Sequence, residues 1–218
     1  MRLPLLALFF FFADGGPRVA FGSEEESTGT PETESPGTLV PAPTPHALIL
    51  EPKFMGSKQF VLLPQSKETG FVPARWDGER LEPYSREEFR ALELPWKRFF
   101  EHAVEAMELF IASLEAKYYR DANEVITHGV VESEVPFLAS VIASPAFRDR
   151  FSSTLGTEFF VVAPNRSTLI LLPKSANNLA EIQEVASHTF EISTYPVSLE
   201  LIEIKKDGIR VIGKFDRN

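Results

Sequence analysis

The chain has 218 residues, a formal net charge of -9 and no cysteine. The missing thiols exclude a disulfide scaffold, a lipid-modified lipoprotein and thiol redox chemistry. The acidic balance argues against nucleic-acid binding, which needs clustered Lys and Arg to displace phosphate counterions.

Arg2 and the apolar run from Leu3 to Ala13 (LPLLALFFFFA) have the form of a signal peptide over residues 1–22. The run is broken by Asp14, Gly15, Gly16 and Pro17, well short of the about 20 apolar residues that a membrane span requires. Ala20-Phe21-Gly22 offers a cut before Ser23, and Ala20 is a competing last residue of the leader. The expectation is a secreted or periplasmic protein with no transmembrane span after cleavage. Residues 23–46 hold five Glu, five Pro and no Lys or Arg, too little apolar surface to offset the entropy of ordering, and read as a disordered acidic Pro/Thr/Ser/Glu linker. Removing residues 1–22, with Arg2, Arg18 and Asp14, takes the charge from -9 to -10, and the five linker Glu account for half of that. The remainder, 47–218, is mildly acidic and of ordinary size for one domain.

In that domain, Ala47 to Leu50 and Gln59 to Leu63 read as strands, and a third extended piece, Gly70 to Arg75, runs into the hairpin signal Asp77-Gly78. Ser85 with Glu88 forms a capping box, and Pro95 predicts a division into a short helix and a longer one. Trp96, Phe99, Phe100, Ala103, Met107, Phe110, Ile111 and Leu114 recur at helical spacing and read as core. Val125 to Val131 reads as a strand bulged at Gly129. Phe137 to Ile142 predicts a short helix, and Ser144-Pro145 opens another that ends near Gly156.

Phe159 to Ala163 and Thr168 to Leu172 flank the loop Pro164-Asn165-Arg166-Ser167, a hairpin whose continuous apolar arms predict a central position with both faces covered. A helix from about Ser175 to His188, with Leu179, Ile182 and Val185 toward the sheet, precedes a last hairpin, Leu199 to Ile204 and Ile209 to Phe215, closed at Lys206-Asp207-Gly208. Strand pairs separated by helices predict a single α+β domain, a mostly antiparallel sheet with helices packed on it. The segments Glu158 to Pro173 (EFFVVAPNRSTLILLP) and Thr194-Tyr195-Pro196-Val197-Ser198 resemble the C-terminal half of the YtpQ-like bacterial family, over about Ala122 to Asn218. That resemblance implies a fold and brings no catalytic residues with it. Ser167 stands where the family's turn carries Asp.

Candidate chemistry is sparse. Arg166, at a hairpin tip, could grip a carboxylate or phosphate bidentately, with Asn165 beside it, or else cap a neighbouring carbonyl or pair with a surface Glu. His128, Glu132 and Glu134 have even spacing on one strand, which would put them on one face as metal ligands or a general base, or else on a solvated edge. Glu101, His102 and Glu105 share a helical turn and supply at most two ligands. His188 at a helix end would complement the dipole. No Gly-x-Ser-x-Gly elbow, His-Glu-x-x-His motif or phosphate loop is present. The sequence therefore points to an exported, non-catalytic binding or assembly module that meets a protein or small ligand without a cofactor. The alternative is an extracytoplasmic hydrolase or metal-dependent enzyme using His128, Glu132 and Glu134, with Arg166 on an anionic substrate.

Overall fold

The computed structural model describes residues 39–53 and 59–216; the expected signal peptide and the spacer up to residue 38 lie outside the described residues. Two antiparallel sheets carry the fold. The first has β1 (Thr44–Pro52), β3 (Thr69–Trp76) and β2 (Val61–Leu62) in the order β1-β3-β2, with β4 (Leu81–Pro83) also paired to β3. The second has six strands in the order β10-β9-β7-β8-β6-β5, namely β10 (Gly208–Lys214), β9 (Glu200–Lys205), β7 (Phe159–Asn165), β8 (Thr168–Pro173), β6 (Ile126–Glu132) and β5 (Lys117–Arg120). This is the expected α+β architecture, with antiparallel pairing throughout.

The apolar arms of β7 and β8 are buried on both faces because each face meets a different layer. Val161, Ala163, Leu169 and Leu171 join the main core with the first sheet and helices α2 (Trp96–Ala106), α3 (Glu108–Ser113) and α4 (Pro145–Leu155). Val162, Ile170 and Leu172, one residue out of phase, pack with Ile182 and Ala186 of α5 (Leu179–Ile192) on the other side. The two-residue alternation of strands thus divides one hairpin between two cores.

Local signals explain most of the helix boundaries. Helix α1 (Arg86–Ala91) starts on the reciprocal capping box of Ser85 and Glu88, and α2 begins directly after Pro95. Ser144 caps α4 by accepting from the Ala146 N–H, Pro145 occupies the first turn, and the helix stops at Gly156 with φ of 96°. Phe147, Phe151 and Leu155, four residues apart, are its buried stripe.

Several expectations are corrected. The long helix breaks a second time, at Met107, which lets Met107, Phe110, Ile111 and Leu114 all reach the core. Strand β5 carries no apolar alternation and escaped notice. Gly129 forms no bulge: it pairs regularly with Tyr118 and Leu171, and the irregularity falls instead at Thr127, between the pairs Tyr119–His128 and Arg120–Ile126. Glycine lets the two strands approach closely there, since a Cβ would lie 3.0 Å from the Tyr118 ring. The turn between β7 and β8 tightens to Arg166-Ser167. Helix α5 runs on to Ile192, so His188 lies a turn before its end, and Leu179 and Val185 face solvent while Ile182 and Ala186 face the sheet. Strand β1 begins at Thr44, and the segment from Leu39 is already held: Ser113 Oγ accepts from the Leu39 N–H, Pro41 O from Trp76 Nε1, and Pro45 O from the Tyr84 hydroxyl.

The sheets are joined through the 3-10 helix Leu138–Ala143, whose residues from Leu138 to Ile142 are buried. The Leu50 N–H of β1 donates to Ser140 Oγ at 2.8 Å, and the Ala139 N–H donates to Arg166 O at 3.2 Å. Ser140 therefore supplies an acceptor for a strand N–H in a buried layer. Replacing it, Ser140→Ala, leaves that N–H buried without an acceptor and should lower unfolding stability by about 1–3 kcal/mol, read from the denaturant midpoint at unchanged slope.

Candidate functional site

Where the ends of the two sheets meet, a polar seam lies under an open cleft. The seam is built by local turns. In the loop between β2 and β3, Gln65 adopts φ of 65°, and Ser66 Oγ accepts from the N–H groups of Glu68 and Thr69. That bonding fixes Ser66 toward β9, where its hydroxyl reaches the carboxylate of Glu200 at 2.8 and 3.0 Å. On the other side, the segment before β9 continues the sheet irregularly. The N–H groups of Val197 and Ser198 donate to Pro164 O and Ala163 O, and Asn165 bridges Pro196. Ser198 Oγ then accepts from the Glu200 N–H and lies 2.8 Å from Thr69 Oγ1.

Arg166 and Asn165, the hairpin-tip candidates, have partners inside the protein. Arg166 pairs with Glu51 of β1, whose side chain is 1% exposed, and its guanidinium lies 4.8 Å over the Tyr195 ring. The anion that the hairpin tip meets is a carboxylate of the first sheet. Asn165 Oδ1 accepts from the Ser167 N–H at 3.0 Å and closes the turn. Charge pair, ring and turn together hold the tip against the end of β1.

The cleft above the seam has a volume of about 470 Å³. Phe190 from the last part of α5, with Val197 and Leu199, forms apolar walls, and the buried residues Thr69 and Ser198 belong to its lining. Lys53, Lys67 and Lys214 line it as well, against the single carboxylate of Glu68, which pairs with Lys214. Sequence patterning could not have found this site: its residues come from five separate segments, none carrying a motif. The Tyr-Pro-x-Ser step before the last hairpin was the only local hint.

A second cleft of about 510 Å³ lies between β2, the start of α2 and the β9–β10 turn, with Phe71, Trp96 and Phe100 among its lining residues. Trp96 and Phe100 are therefore half-buried wall residues as well as neighbours of the core.

The remaining candidates do not converge. His128 stacks on Tyr119, with ring centroids 4.4 Å apart and planes 8° from parallel, and its Nδ1 is 3.1 Å from Thr127 Oγ1. Burial lowers its pKa, opposed by the charge of Glu181. Glu132 is four residues further along β6, about 13 Å away on an extended strand, and Glu134 lies beyond the strand end. Those two glutamates line a shallow hollow with Val40 that His128 does not share. Among the described residues no three His, Cys, Asp or Glu side chains come close enough to hold a metal ion. His102 meets His46 of β1 rather than Glu105, with ring centroids 4.8 Å apart. Burial, and then the neighbouring His102, lower the pKa of His46.

Glu203 on β9 is a buried carboxylate met by cations. Burial pushes its pKa up, but hydrogen bonds from Lys174 at 2.9 Å and Arg210 at 2.7 Å outweigh that and hold it down at about 2.

Two outcomes follow from these charges. Because Glu51 is buried, Arg166→Met should cost about 3 kcal/mol or more. Adding Glu51→Gln should recover part of that loss, a coupling to be read from a double-mutant cycle of unfolding free energies. Stability should also fall in two stages on acidification. His46 and His128 hold protons less well folded than unfolded, so the unfolded chain gains protons first as pH drops through about 6.5, and stability declines from there. The folded-state depression at Glu203 contributes stability above its unfolded value of 4.5, which is lost as pH falls toward about 2. Urea midpoints measured from about pH 8 to about pH 3 should show both stages, and His46→Gln with His128→Gln should flatten only the upper one.

No family model, curated protein or solved structure matches the chain.

Proposed function

We propose that the protein is an exported, non-catalytic binding module whose ligand seat is the cleft at the junction of the two sheets. The observation that carries this reading is the composition of that cleft. It has apolar walls, buried hydroxyls and cationic groups around a volume suited to a small molecule, which is how binding sites are generally built. The titratable groups that an enzyme would need, His128, Glu132 and Glu134, are divided between a stacked ring and a separate hollow. Among the described residues no helix is long and apolar enough to cross a membrane. Export rests on the N-terminal apolar run, and the relation to the YtpQ-like family rests on Glu158 to Pro173 with the Tyr-Pro-x-Ser step. Both are part of the proposal.

The full chain should bind the neutral fluorescent probe N-phenyl-1-naphthylamine saturably. Phe190→Ala, which removes a cleft wall, should weaken binding by about tenfold, or 1.4 kcal/mol. Glu132→Gln with Glu134→Gln should leave it unchanged. If no saturable binding appears, or if the glutamate substitutions abolish it while Phe190→Ala does not, the cleft is not the ligand seat.

A further inference from the structure

We infer that His46 and His102 form a two-imidazole site for one divalent late transition metal ion, Cu2+ the tightest of the class, tying the start of β1 to α2. The site shares no residue with the junction cleft, so it stands apart from the binding reading above.

The first observation is the meeting of the two rings. Their centroids lie 4.8 Å apart, with planes 67° from parallel. Two imidazoles bound to one ion at metal–nitrogen distances of about 2.0–2.1 Å bring their ring centres about 4.5–5.2 Å apart, from square-planar to tetrahedral angles. The rings therefore already stand at the separation that chelation requires, with only their orientation left to adjust.

The second is that the ring nitrogens are uncommitted. Among the described residues, no hydrogen bond or ion pair engages either imidazole. By contrast, the His128 ring stacks on Tyr119 and its Nδ1 meets the Thr127 hydroxyl. His46 is half-buried and His102 exposed, so an ion can reach both. Imidazole is the commonest metal ligand among side chains.

The third is that rigid elements hold the pair. The register of β1 on β3 shifts between Thr44 and Ala47, which puts His46 in a bulge, a feature that re-aims side chains. The bulge is tied down on each side. The His46 N–H donates to Thr44 Oγ1 at 3.1 Å, the Thr44 hydroxyl donates to His46 O at 3.3 Å, and Pro45 O accepts from the Tyr84 hydroxyl at 2.9 Å. The fully buried Phe99 meets the His46 ring edge to face, with centroids 5.2 Å apart. Phe99 and His102 are three residues apart on α2 and share a face, so both reach the same ring.

The surroundings suit a cation. Arg98 is engaged by Glu101 at 3.1 Å, and Glu105, one turn beyond His102, carries no ion pair among the described residues. Two protein ligands leave the other coordination positions to water. Imidazole also selects late transition metals over Mg2+ and Ca2+, which prefer oxygen.

The experiment titrates Cu2+ into the full chain at about pH 7.5, where histidine is mostly neutral. One equivalent should bind, read by calorimetry, and the electron paramagnetic resonance spectrum should show coupling to imidazole nitrogen. His46→Gln and His102→Gln, each alone, should weaken binding by about tenfold or more and reduce that coupling. Circular dichroism checks that both variants remain folded, and the exposed position of His102 makes its substitution the safer of the two. His128→Gln with His188→Gln should leave the affinity unchanged, as should a large excess of Mg2+. Full affinity in either single variant, copper displaced by Mg2+, copper lost from the His128 and His188 double variant, or no stoichiometric binding at all overturns the inference.

Discussion

A carboxylate taken out of water has to be met by charge and donors, and Glu51 imposes that requirement at the end of β1. Arg166, from the turn between β7 and β8, pairs with it, so part of that demand is met by a contact that holds the first sheet against the second. Apolar burial alone would not be so selective. Leucine, isoleucine and phenylalanine side chains tolerate sliding and repacking at modest cost, whereas a buried ion pair with one partner displaced is destabilised strongly. The hydroxyl contacts beside it repeat the constraint with smaller groups: Ser140 meets the Leu50 N–H, Thr69 meets Ser198, and Ser66 meets Glu200. The seam acts as an index for the two sheets, while the cores on either side of β7 and β8 supply most of the favourable free energy.

The cleft is a by-product of that indexing. Strand β9 begins regularly only at Glu200, because Tyr195 to Ser198 follow β7 through single bonds and one bridge rather than a full ladder. The last turn of α5 and the loop before β3 border the resulting gap.

Much of the fold was legible in the chain because its devices are local. The capping box at Ser85, Pro145 at the head of α4, Gly156 at its end and the two-sided apolar run of Phe159 to Leu172 each act within a few residues. The failures have equally local causes. Lys117-Tyr118-Tyr119-Arg120 pairs at an edge, where little is buried, so no alternation marks it. Gly129 imitates a bulge residue, yet its reason is the Tyr118 ring across the strand pair, a contact that sequence order conceals. Helix α5 continues past His188 through Thr189 to Ile192 with no stop signal to misread. The site was far less legible. Arg166 stood out as a cation at a hairpin tip, but its partner is over a hundred positions away, and so is the distance between Thr69 and Ser198. Lysines scattered at 53, 67 and 214 look like ordinary surface residues until the fold brings them to one concavity.

The same long reach bears on how the molecule is made. Ser66 and Glu200 are 134 positions apart, Thr69 and Ser198 are 129 apart, and the Val211 N–H completes its bonding on Pro64 O. Pro64, Ser66 and Thr69 are therefore synthesised early but meet these partners only when the final segments emerge from the ribosome. Closing loops of this length carries an entropic cost before any contact forms, and topologies of this kind fold slowly. A nascent chain halted short of β9 would expose the edge of β7 that β9 covers and leave Ser66 without Glu200, so an incomplete copy differs from the finished one by an open strand edge as well as by its missing hairpin.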